Sequence, residues 1–156
     1  MIQATYIDVL KRICPLLSNL DRPWAITGSM GMALQGVDID VHDIDIQTDS
    51  TGAYLIQDQL ADHVVSKVRY RKASNIRSHY GKFRINGIDI EVMGDIEKLQ
   101  PDGQWTDPPD LLQIIRRVKV GALLIPLLDL EYEKRAYSIM GRDETVAKIE
   151  AALRDL

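Results

Sequence analysis

The sequence predicts an α+β (α/β) fold: a small mixed β-sheet flanked by helices, with helices gathered towards both ends of the chain. Three observations predict it. Residues 5–20 place Tyr6, Val9, Leu10, Ile13 and Leu17 at helical spacing. Residues 63–93 have the texture of strands and contain Asn86-Gly87, the strongest short hairpin signal in the chain. Between them, residues 43–47 alternate acid and isoleucine, the period of a strand with one polar and one apolar face.

The elements follow in order. Asp21-Arg22-Pro23 breaks the first helix. Trp24 to Thr27 is a short buried strand running into Gly28-Ser29, and Ser29 to Gln35 a short helix closed by Gly36. After the strand at 43–47, the run Thr48, Asp49, Ser50, Thr51 offers caps for a helix ending near Leu60. Val64 to Tyr70 is a strand, and Arg71-Lys72 leads into a loop with Ser74-Asn75. Ser78 to Ile85 and Ile88 to Met93 flank the Asn86-Gly87 turn. Pro101 to Pro109 reads as a loop at a subdomain boundary, and 116–125 as a second hairpin turning at Gly121. Two helices, 128–140 and 143–153, close the sequence on either side of Gly141-Arg142.

Composition narrows the class. The 156 residues carry 19 basic and 23 acidic side chains, a net charge of -4, which argues against coating DNA or an anionic membrane by bulk charge. Hydrophobic residues at 46% exclude a disordered chain. The apolar stretch 122–128 falls far short of the ~20 residues of a membrane span. Residues 1–10 lack the basic start and apolar core of a signal peptide, so the expected compartment is the cytoplasm. The lone Cys14 excludes an internal disulfide and a multi-cysteine zinc site.

Chemistry concentrates in three places. On a strand, Asp43 and Asp45 share a face while Ile44 and Ile46 enter the core. Their Cα atoms stand ~6.6 Å apart, close enough to converge on divalent cations, which two-metal sites hold ~3.5–4 Å apart. Oxygen ligands suit Mg²⁺ or Mn²⁺. The pattern alone also fits a solvated strand face, and Asp38-Ile39-Asp40 shows how readily it arises. Secondly, Gly28 lets the backbone approach a ligand, and Ser29 offers a helix cap and a hydroxyl for a phosphate. Thirdly, Ile88-Asp89-Ile90-Glu91-Val92 again alternates acid and aliphatic, so Asp89 and Glu91 share a face.

Gly28-Ser29, thirteen intervening residues, Asp43-Ile44-Asp45 and a later acid on a strand resemble the nucleotidyltransferase superfamily related to DNA polymerase beta. The resemblance covers residues 24–92 well, the rest only loosely, and includes the AbiEii and lincosamide-modifying type. It implies the nucleotidyltransferase fold and a single domain over 1–156, with a catalytic core at about 21–95 and a hairpin and helices at about 110–156. It implies transfer of a nucleoside monophosphate from an NTP to a hydroxyl or similar acceptor, with release of pyrophosphate. Gly28 and Ser29 would hold the triphosphate, and Asp43 and Asp45 would bind Mg²⁺ or Mn²⁺. Gly87-Ile88-Asp89-Ile90-Glu91-Val92 matches the relatives' third acidic motif with Glu91 in the acidic place and Asp89 as the alternative. Lys134, on a helix after the sheet, would reach the nucleotide phosphates.

Other features weigh less. Seven basic residues fall within 67–84 (Lys67, Arg69, Arg71, Lys72, Arg77, Lys82, Arg84), interleaved with Tyr70 and Tyr80. They offer an RNA or phosphorylated acceptor a surface, or simply protect a strand edge. His42, His63 and His79 form no metal motif, and only His42 adjoins the acids. Trp105 packs or lines an acceptor pocket. Competing functions are a non-catalytic nucleotide-binding partner in a toxin–antitoxin pair and a sugar-nucleotide glycosyltransferase. The acid trio argues against the first and the short chain against the second. An Asp-x-Asp phosphatase fails because Gln47 stands where that motif needs Thr or Val.

Overall fold

A computed structural model describes residues 2–156. Helix α1 (Ala4–Leu17) leads to strand β1 (Trp24–Thr27), short helix α2 (Gly28–Ala33), β2 (Ile44–Thr48) and α3 (Ser50–Gln59). A 3-10 turn over Ala61–His63 precedes β3 (Val64–Lys72), β4 (Ile76–Ile85) and β5 (Ile88–Lys98). The one-turn helix α4 (Leu111–Ile114), β6 (Ile115–Val120), β7 (Leu123–Leu128), α5 (Leu130–Ile139) and α6 (Asp143–Arg154) complete the chain.

The seven strands form one mixed sheet in the order β3-β4-β5-β2-β1-β7-β6. Only β2 with β5 and β1 with β7 run parallel. The hairpin at Asn86-Gly87 forms as expected, with both residues at positive φ, 51° and 76°. The second hairpin turns at Gly121 and runs on to Leu128, and β7 then pairs with β1. Strand β5 continues five residues past the expected end at Met93. A register shift between Arg77 and His79 of β4 absorbs Gly94-Asp95, with Asp95 at φ 50°, so the turn-like pair marks an irregularity within the strand. Helix α4 falls between the loop read at 101–109 and the hairpin read at 116–125, in a stretch to which the sequence assigns no element.

The sheet has two unlike faces. On one, Ile26, Ile44, Ile46, Ile90 and Val92, all fully buried, pack with Leu10, Ile13 and Leu17 of α1 and Ala53 and Ile56 of α3. On the other, the alternate residues Asp45, Gln47 and Glu91 meet α5 or a polar cleft. Helices α5 and α6 close a smaller core with α2, built from Met32, Val37, Leu130, Ile149 and Ala152. No helix among the described residues is long and apolar enough to cross a membrane.

Candidate active site

Parallel pairing sets Asp45 opposite Glu91, Ile44 opposite Ile90 and Ile46 opposite Val92. A slip of one residue would turn both aliphatic pairs out of the core and the acids into it, so burial fixes this register. Asp43 lies one residue before β2. Carboxylate oxygens of Asp43, Asp45 and Glu91 all fall within 4.8 Å of one another. Asp89 shares the strand but belongs elsewhere. Arg84 Nε bonds its carboxylate at 2.7 Å and Lys82 Nζ lies at 3.4 Å, which hold it below the usual carboxylate range, the Arg84 hydrogen bond most of all.

Electrostatics in the trio are unfavourable without a cation. Burial, then the charges of Asp43 and Glu91, push Asp45 up to about 8. Burial followed by Glu91 pushes Asp43 up to about 6, partly offset by His42. Asp45 Oδ1 is buried without a hydrogen-bond partner. Three converging hard oxygen donors with an orphaned buried oxygen fit a divalent cation of the Mg²⁺ or Mn²⁺ type. Tyr80 Oη donates a hydrogen bond to Glu91 Oε1, and the Arg71 guanidinium covers the Tyr80 ring at 5.0 Å. Burial and then Glu91 raise the Tyr80 pKa, so the phenol stays a donor.

The Gly28 corner is built differently from the sequence expectation. The helix begins at Gly28 itself, and neither Thr27 nor Ser29 caps it. Thr27 Oγ1 instead donates to Glu133 Oε1 at 2.7 Å, and the Gly28 amide donates to Glu133 Oε2 at 2.9 Å. Gly28 adopts φ +67°, and a Cβ there would overlap Asp45 Oδ2. Glycine is therefore required by the approach of the backbone to Asp45, while its amide is already taken. Glu133 is 2% exposed, and burial lifts its pKa to about 7 against the pull of its two donors. Sequence reasoning missed it. A glutamate inside Glu131-Tyr132-Glu133-Lys134 reads as solvated, and its partners lie more than a hundred residues away.

Beside the trio opens a cleft of about 420 Å³, lined by Ser29, His42, Asp43, Asp45 and Tyr137, with Arg142 and Lys148 as its cations. Lys134, expected at the phosphates, is not among its lining residues. It pairs with Glu131 at 3.6 Å and faces a separate hollow with Ser138 and Val146. The reason is helical periodicity: Glu133 and Tyr137, four apart, share the site-facing stripe, and Lys134 is rotated about 100° from Glu133. Three of the seven basic residues in 67–84 are ion-paired within the chain. Arg77 bonds Glu97 at 2.9 Å, Lys82 and Arg84 share Asp89, and Arg77 and Lys72 lie over the Trp105 ring at 4.3 and 5.7 Å. His42 adjoins the acids, His63 ends the 3-10 turn, and His79 stands between Tyr54 and Tyr70.

Residues 9–152 match the family model described as aminoglycoside-2''-adenylyltransferase. The chain belongs to that family. It is 44% identical to TM1012 of Thermotoga maritima, described as a nucleotidyltransferase, with a TM-score of 0.86 across 100% of this chain and 97% of that one. Two more distant structures share the fold. The lincomycin-bound lincosamide adenylyltransferase LnuA is 14% identical, covering 93% of this chain and 96% of that one at a TM-score of 0.59. ANT(2'')-Ia in complex with adenylyl-2''-tobramycin is 10% identical, covering 96% and 90% at 0.59. No curated protein matches the sequence. The adenylyltransferase family thus supplies the class, a nucleotidyltransferase enzyme with the α+β nucleotidyltransferase fold.

Proposed function

We propose that this member of the family is an Mg²⁺-dependent (or Mn²⁺-dependent) enzyme that moves a nucleoside monophosphate from an NTP onto an acceptor hydroxyl and releases pyrophosphate. The observation that carries the reading is the convergence of Asp43, Asp45 and Glu91, with Asp45 Oδ1 buried and unpartnered. Asp43, Asp45 and Glu91 would hold a divalent cation, which would supply charge neutralisation at the triphosphate and acidify the acceptor hydroxyl. Ser29 binds phosphate from the helix corner, and Arg142 and Lys148 face it across the cleft. Glu91, oriented by Tyr80, accepts the acceptor's proton. The acceptor oxygen bonds to the α-phosphorus as the α–β phosphoanhydride bond breaks. The family name favours ATP as donor and a hydroxyl on an amino sugar as acceptor.

The test incubates the protein with Mg²⁺ and each α-labelled NTP, with and without an aminoglycoside panel, and follows pyrophosphate and labelled product. Transfer that is lost in a folded Asp45→Asn variant supports the reading. Undiminished turnover in Asp45→Asn removes the metal role. Thermal stabilisation by Mg²⁺ and NTP with no pyrophosphate under any condition favours the non-catalytic partner instead.

A further inference from the structure

Across α5 from the acids lies a second cavity, of about 290 Å³, and the two share no lining residue. Its polar feature is Lys98, the last residue of β5, 6% exposed. Buried ammonium groups are normally paired with a carboxylate. Lys98 takes part in no ion pair within 4.0 Å among the described residues, and the buried acid that its charge reaches, Glu133, is already bonded to Thr27 and the Gly28 amide. Its Nζ donates to Tyr132 Oη at 3.1 Å, and the same oxygen accepts from Gln47 Nε2 at 3.4 Å. No other hydrogen bond from Nζ is formed among the described residues. The Tyr132 ring lies 5.4 Å from Nζ, and Ile96, Ile114, Ala136 and Ile139 supply apolar walls.

We propose that this cavity binds a small organic carboxylate with an apolar body, its anion held by Lys98. The chemistry follows from what is missing and what surrounds it. One buried cation with unused donors calls for a single anionic group. Asp107 and Asp110, exposed among the lining residues, oppose a polyanion such as a triphosphate, with Arg135 the one lining cation besides Lys98. The volume lies at the lower end of ligand pockets, ~300–1,000 Å³, so the body is small.

The experiment titrates the full chain with phenylacetate and with phenethylamine, its counterpart of opposite charge, and follows backbone amides by two-dimensional NMR. Saturable phenylacetate shifts at Ile96, Thr106 and Ala136, with Ser29 and Asp43 unmoved, are expected. Phenethylamine should give none. Lys98→Met should retain the fold and weaken phenylacetate by about tenfold or more, the loss of one charge-assisted hydrogen bond. Lys98→Gln serves as the second variant. Absence of phenylacetate shifts in the cavity, equal binding of the amine, or unchanged affinity in a folded Lys98 variant overturns the proposal.

Discussion

The buried carboxylate of Glu133 does at residue scale what a cap does for longer helices, but from another part of the chain. It satisfies Thr27 and the Gly28 amide together, and Gly28 in turn abuts Asp45. Glu133→Ala orphans two donors and leaves a void, so a loss of about 2–4 kcal/mol is expected in urea denaturation. Amide exchange at Gly28 should accelerate with it. The acids also set a pH dependence. Asp45 at about 8 and Glu133 at about 7 both stand above their unfolded values near ~4, so the metal-free folded state binds more protons than the unfolded state in between. Stability of the metal-free protein should therefore decline as pH rises from ~5 to ~8, read as a falling Tm, and Mg²⁺ should flatten that slope. A Tm that climbs over the same range would contradict the assigned burial.

At the scale of elements, local strings explain some features and distant contacts the rest. Of the four candidate caps Thr48, Asp49, Ser50 and Thr51, Asp49 is the one used: its Oδ1 accepts from the Gly52 amide at 2.7 Å, and its Oδ2 accepts from Arg22 Nε at 2.7 Å. Asp49→Ala should cost about 1–2 kcal/mol, measured as a shift in denaturant midpoint with an unchanged slope. The alternation in 43–47 and 88–92 was legible, because a strand's period of two is written in adjacent residues. The far half of β5 was not. Gly94-Asp95 looks like a stop, yet the glycine is there because a Cβ would strike the Asp49 backbone oxygen at the start of α3. A contact with another element chose the residue, and no local pattern records that. The helix start at Gly28 escaped for the same reason, since Thr27 is claimed by Glu133.

Over the whole molecule, the sheet separates two duties. One face builds the main core with α1 and α3, and the other presents acids towards α5, α6 and the cleft. The fold class and the alternation that puts Asp43 with Asp45 and Asp89 with Glu91 are written in short stretches; the choice of Glu91 over Asp89 came from the family resemblance, and the partner of the Gly28 amide was not legible at all. Nor were the cations opposite the acids, because Arg142 and Lys148 reach the cleft only through the packing of α6 on α5. Titration calorimetry should find NTP binding weakened about tenfold or more in Lys148→Ala and in Arg142→Ala, and unchanged in Lys134→Ala. Equal losses at all three positions would return Lys134 to the cleft.

The tie between Glu133 and Gly28 has a consequence for synthesis. Residues 24–92 hold every carboxylate of the trio, but the Gly28 bend finds its acceptor only when the stretch after β7 has left the ribosome. On the proposed reading, a nascent chain at that stage would lack both the clamp beneath the bend and the cations opposite the acids, and would grip a nucleotide only once α5 and α6 have packed.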